Sequence, residues 1–75
     1  MQRTYKVILT WDDEGNVFVV SVPALPGCFT QGHTREEALE RAQEAIEGHV
    51  EALRLIGQPV PPGDVEFAEV RVNVS

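Results

Sequence analysis

The sequence predicts an α+β domain in the order β-β-β-α-β, a single sheet covered on one face by one long helix. Two stretches, Thr4 to Trp11 and Val65 to Val74, alternate with the period of a strand. Between them, Thr34 opens a segment of helical periodicity that runs to about Ile56. Clusters of Gly, Pro and Asp separate the periodic pieces. With 75 residues and 43% hydrophobic content, the chain has room for one domain, 1–75, with one modest core.

In the first strand, Tyr5, Val7, Leu9 and Trp11 share one face, and Thr4, Lys6, Ile8 and Thr10 the other. Asp12-Asp13-Glu14-Gly15-Asn16 is a turn whose carboxylates stay hydrated and whose Gly15 is free to take positive φ. Val17 to Val22, β-branched and aromatic, returns as the second strand of a hairpin. Pro23 and Pro26 lack donors and end the ladder, and Gly27 relieves the backbone behind them. Cys28 to Gln31 is a short third strand, and Gly32 and His33 turn the chain.

The helix start carries a capping box, with Thr34 accepting from the third helical amide and Glu37 answering it. Glu36 and Glu37 also favour the positive helix end. Gly57 is placed to cap the other end and Pro59 to stop it. Gly48 weakens the middle by about 1 kcal/mol relative to alanine. It either permits close packing or a bend, or has no special role. After the stiff Gln58–Asp64 return, Val65 to Val74 places Ala68, Val70, Val72 and Val74 on one face of a last strand.

Helical spacing sorts the long segment into two arcs. Ala38, Leu39, Ala42, Ala45, Ile46, Val50, Leu53 and Ile56 form the apolar one. Glu36, Glu40, Glu44, Glu47 and Glu51 fall within about 80° of each other on the far side, at about 100° per residue. Like charges at this spacing each cost a few tenths of a kcal/mol in an isolated helix. A sheet must therefore hold the helix down, and a basic partner is expected to meet those five glutamates. One helix covers one side of a sheet, so Ile8 and part of the second strand face elsewhere. Either sheet twist tucks them in or another subunit covers them, and self-association as a dimer or higher oligomer is expected.

Twelve acidic against six basic residues give a net charge of -6. Direct nucleic-acid binding is not expected of such a chain, whereas steering of a basic protein is. No secretory signal or membrane-length apolar run is visible, so a cytoplasmic location is expected. One cysteine, Cys28, excludes an internal disulfide and reads as a buried thiol. Asp12, Asp13 and Glu14 lack calcium-loop spacing and read as a solvated turn. His33 and His49 lie at opposite regions of one helix; the first reads as a loop residue, the second as a core or interface histidine. Tyr5, Trp11 and Phe18 fill the core or anchor an interface. No catalytic constellation, phosphate loop, cofactor site or metal site emerges, and no enzymatic activity is expected.

Several short motifs occur in a telling order: Tyr5, Asp12-Asp13-Glu14-Gly15, Val19-Val20-Ser21-Val22-Pro23, Leu25-Pro26-Gly27-Cys28, Gly32-His33-Thr34-Arg35-Glu36-Glu37-Ala38 and Pro59-Val60-Pro61-Pro62. In this order and separation the sequence resembles the HicB-like antitoxin family. The resemblance implies a compact domain related to a reduced ribonuclease H-like fold. It also implies a HicA-like partner, a small basic mRNA ribonuclease neutralised when its RNA-facing surface is covered. Ala24 and His33 depart from the family by standing where acidic residues are common. The sequence stops after the last expected strand, which implies a small stand-alone member without the C-terminal DNA-binding module of longer relatives. The alternative reading is an orphan homo-oligomeric structural or regulatory domain with no toxin partner.

Overall fold

The computed structural model describes residues 3–63 and 65–74. Strands β1 (Ile8–Asp12), β2 (Val17–Ser21) and β3 (Phe29–Gly32) form an antiparallel sheet in the order β1-β2-β3, and helix α1 (Arg35–Leu55) lies across it. This is the expected α+β arrangement, one sheet with one helical cover. Its likeness to a ribonuclease H-like fold is loose, limited to the three antiparallel strands and their helix.

Register decides the faces that alternation alone left open. Leu9 pairs with Val20 and Val20 with Thr30, while Trp11 pairs with Phe18 and Phe18 with Gly32. Residues paired across an antiparallel ladder share a face, so these rows look toward the helix. Val20, Ala38 and Ala42 form one buried cluster, with Val7, Leu9 and Phe18 packed against it. Ile8, Thr10, Val19, Phe29 and Gln31 take the opposite face, where Ile8 and Phe29 are exposed. Trp11, at the rim, is exposed and meets Phe18 edge-on, with ring centroids 4.9 Å apart.

The connections explain the second half of the core. In Leu25-Pro26-Gly27-Cys28 the Cys28 N–H donates to the Leu25 carbonyl at 3.0 Å, and Gly27 holds φ at 85°. Proline followed by a positive-φ glycine is the type II turn solution. A preceding turn closes with Leu25 N–H on the Val22 carbonyl. The two turns drive Leu25 inward, where it is fully buried with Val22 and Cys28 beneath Ile46, Val50 and Leu53.

Two local expectations are corrected. Asn16, not Gly15, takes positive φ in the hairpin (52°), because Asn tolerates the left-handed region with its short polar side chain. Ile56 lies beyond the sheet and is exposed, because α1 outruns the strands it covers. Of the readings open for Gly48, close packing drops out, because nothing lies near its missing side chain.

The largest correction concerns Val65 to Val74, which enters no ladder. Its start is held against the segment before β1: Tyr5 Oη donates to the Pro61 carbonyl at 2.8 Å, and Lys6 Nζ to the Val65 carbonyl at 3.0 Å. Beyond this anchor Val70, Val72 and Val74 are exposed. Alternation states which residues could share a face, but a strand exists only where another edge supplies its hydrogen bonds.

Candidate functional site

Helix α1 presents the candidate surface, and both of its ends are chemically closed. Thr34 Oγ1 accepts from the Glu37 N–H at 3.0 Å. The Glu37 carboxylate accepts from the His33 N–H at 3.4 Å, one residue earlier than the usual box, and pairs with Arg41 at 3.3 Å. At the other end Gln58 N–H reaches the Leu53 carbonyl at 2.8 Å and Gly57 N–H the Arg54 carbonyl at 3.1 Å, with Gly57 at φ 74°. This pair of bonds is a Schellman motif. Between the caps the helix is continuous for 21 residues.

The seating of the helix sets which way its charges point. Ala38 and Ala42 are the helix residues buried against the sheet. Their small size lets the backbone lie close, and Gly32 completes the approach: a side-chain carbon there would stand 2.4 Å from the Ala38 nitrogen. At about 100° per residue, the middle of the glutamate arc lies about 180° from the midpoint of Ala38 and Ala42. Glu36, Glu40, Glu44, Glu47 and Glu51 are accordingly all exposed. Among the described residues the ion pair seen is Arg41–Glu37, which includes none of the five.

Two depressions flank this ridge. On the β3 side, Glu40 and Glu44 join Thr30, Glu37, Arg41 and Ala45 around an open hollow. On the other side, Glu47 borders a groove of about 540 Å³ between the helix and residues 3–7. The first is polar and shallow, suited to salt-bridging side chains. The second is apolar at its floor, with Val7, Leu39, Ile46 and Val50.

The remaining candidates are accounted for structurally. Asp12 Oδ1 accepts from the Glu14 N–H at 3.0 Å and Asp13 Oδ1 from Trp11 Nε1 at 2.7 Å, so both carboxylates brace the hairpin. Cys28 is buried, and desolvation pushes its thiol pKa up, away from nucleophilic reactivity. His33 is exposed and His49 half-buried. Among the described residues, no three His, Cys, Asp or Glu side chains converge as a metal site would require, and no helix is long and apolar enough to cross a membrane.

Sequence reasoning missed the two residues that seat the helix most tightly. Gly32 was expected only to turn the chain, and Leu25 carried no assigned place in the core. For Leu25 the available signal was a single large apolar residue between two prolines. For Gly32 it was a glycine six residues before an alanine on the helix face.

Residues 5–74 match the family described as HicB-like antitoxin of bacterial toxin-antitoxin system. The chain belongs to the HicB-like antitoxin family. A UPF0150 protein of Thermoplasma acidophilum is 48% identical over 62 residues, covering 83% of this chain and 88% of that one. Antitoxin HicB 1 of Photorhabdus laumondii is 40% identical over 75 residues, covering 95% of this chain and 47% of the relative. The chain thus spans about half of that longer antitoxin. The crystal structure of the N-terminal domain of Burkholderia pseudomallei antitoxin HicB superposes with a TM-score of 0.62 at 38% identity. The match covers 87% of this chain and 69% of the other.

Proposed function

We propose that this HicB-like domain is a protein-binding antitoxin module whose acidic helix flank covers the basic, RNA-facing surface of a small HicA-like ribonuclease in the cytoplasm. The observation that carries this reading is the exposed ridge of Glu36, Glu40, Glu44, Glu47 and Glu51 on a doubly capped helix, none of the five in an ion pair among the described residues. A surface that binds RNA must present Lys and Arg toward phosphates, and a carboxylate ridge competes for the same groups. Inhibition needs no chemistry from this chain. The partner is blocked because its substrate surface is occupied.

Charge organises the encounter in two stages. The net charge of -6 draws a basic partner in and orients it, an effect that salt screens within about 8–10 Å. On contact, Glu40 and Glu44 beside the free edge of β3 offer paired acceptors at one-turn spacing. The mutual repulsion the glutamates carry in the free helix is relieved when cations are interposed, so the partner gains affinity from a strain already present.

The test is titration of a recovered basic partner with the wild type and with a variant combining Glu36→Gln, Glu40→Gln and Glu44→Gln. Loss of three charge contacts is expected to weaken binding at least about tenfold at low salt, on a scale where 1.4 kcal/mol is a factor of ten. The variant should also flatten the salt dependence while its melting temperature holds or rises. Binding and RNA protection equal to wild type would remove the ridge from the mechanism.

A further inference from the structure

Pairing within the sheet decides which backbone groups of β3 are already engaged. The Val22 N–H donates to the Cys28 carbonyl at 3.2 Å. Along the same register Val20 faces Thr30 and Phe18 faces Gly32. Hydrogen-bonded pairs alternate with non-bonded ones in an antiparallel ladder, so Cys28, Thr30 and Gly32 turn their backbone groups toward β2. Phe29 and Gln31 turn theirs the other way. β3 is the outermost strand on that side, and among the described residues nothing pairs with its outer edge.

Nothing in the strand itself defends this edge. Open edges are commonly blunted by a lysine, a proline or a bulge. Phe29-Thr30-Gln31-Gly32 holds no charge and no proline, and its register with β2 runs without a break. Phe29 is 67% exposed on the sheet face away from the helix, in the row it shares with Ile8. The helix side differs in character. There Thr30 joins Glu37, Glu40, Arg41, Glu44 and Ala45 around the open hollow. Arg41 is paired with Glu37, whereas the exposed Glu40 and Glu44 have no ion pair among the described residues.

The two sides of the edge together select one kind of occupant. A strand laid beside β3 sits about 4.8 Å further out, and its side chains alternate between the two faces. The residue opposite Thr30 enters the hollow beside Glu40 and Glu44. Its neighbours, opposite Phe29 and Gln31, lie on the open face. The carboxylates disfavour an acidic residue in the first position, and Phe29 favours an apolar one beside it. A second copy of this chain is a poor occupant, because two β3 edges related by a two-fold axis would bring Glu40 and Glu44 of both molecules together.

We propose that β3 receives an extended segment of a protein partner as an added antiparallel strand, one that alternates basic and apolar residues and sets a lysine or arginine opposite Thr30. This rests on the reading of the domain as a protein-binding module and adds the mode of attachment. Phe29 and Gln31 supply the backbone hydrogen bonds, while Glu40 and Glu44 select the sequence.

The probe is a blocked peptide, acetyl-Arg-Val-Arg-Val-Arg-amide, titrated into the isotope-labelled full chain and followed by NMR. Amide exchange at Phe29 and Gln31 should slow at least about tenfold on saturation, whereas Thr30 and Gly32, already bonded to β2, stay protected throughout. An analogue N-methylated at both valines keeps every charge but loses two donors, and should bind at least about tenfold more weakly. A Glu40→Gln/Glu44→Gln variant should bind the parent peptide more weakly and with less dependence on salt. A parent peptide that does not bind, or binds no better than its methylated analogue, would overturn the strand addition. So would protection of Phe29 and Gln31 in the free chain, which would mean that another copy already holds the edge. A recovered basic partner that binds while both amides exchange freely would also overturn it, yet leave the glutamate ridge in its role. Peptide binding as expected, with no ribonuclease blocked, would instead remove the antitoxin role and keep the strand addition.

Discussion

Substituting Gly32 by alanine tests the seating of the helix on which every other feature depends. A carbon added at Gly32 would lie 2.4 Å from the Ala38 nitrogen, 2.7 Å from its Cα and 2.9 Å from the Glu37 carbonyl carbon. All three are backbone atoms of the first helical turn, so no side chain can swing aside. Ordinary contact requires about 3.5–4.0 Å, which obliges the helix start to retreat by about 1 Å. That retreat loosens Ala38 and Ala42 from Val20, and overpacking of this kind costs about 1–3 kcal/mol. In a domain of this size about 2 kcal/mol lowers the melting temperature by about 8–16 °C. Backbone strain adds nothing, because Gly32 is not among the positive-φ glycines. Gly48 supplies the control. The same substitution there meets no atom within 4 Å and restores helix propensity, for a gain of up to about 1 kcal/mol. Thermal melts followed by circular dichroism should therefore move in opposite directions for Gly32→Ala and Gly48→Ala. Equal melting temperatures for Gly32→Ala and wild type would refute the close approach.

Two further outcomes follow from burial. Leu25→Ala should cost about 2–5 kcal/mol, and Leu39→Ala less, because Leu25 is fully buried while Leu39 is half-exposed beside the groove. Urea denaturation that ranks them equally would show that the proline turns do not hold the core. Cys28 should react with a thiol-specific disulfide only at the rate of unfolding, since burial raises its pKa and shields it. The linked stability is fully present below the unfolded thiol pKa of about 8.5 and declines as pH rises through the higher folded value. Rapid labelling of the native protein at neutral pH would contradict that placement.

Much of the fold was legible because local chemistry carried it. The Thr34 and Glu37 pair stated where a helix begins, and Gly57 stated where it ends, since caps answer amide and carbonyl groups that the helix itself leaves unpaired. Alternation sorted Leu9 and Trp11 from Ile8 and Thr10 correctly, although the ladder spans Ile8–Asp12 and not the expected Thr4 to Trp11, because Thr4 to Val7 have no paired strand beside them. The glutamate arc was legible for the same reason: helical period alone separates it from Ala38 and Ala42. Gly15 and Asn16 were less legible, because either residue can supply positive φ and the hairpin uses only one.

By itself the sequence determined the first four elements, their order and the carboxylate flank, since each depends on residues within one or two turns of one another. Only the tertiary structure decided which face of β2 meets the helix, how near Gly32 lets that helix come, and that residues 65–74 leave the sheet. Those outcomes depend on contacts between residues far apart in the chain. A strand pattern carries no information about which edge will accept it, and the bond that holds the start of this segment, Lys6 Nζ to the Val65 carbonyl, joins residues almost sixty positions apart.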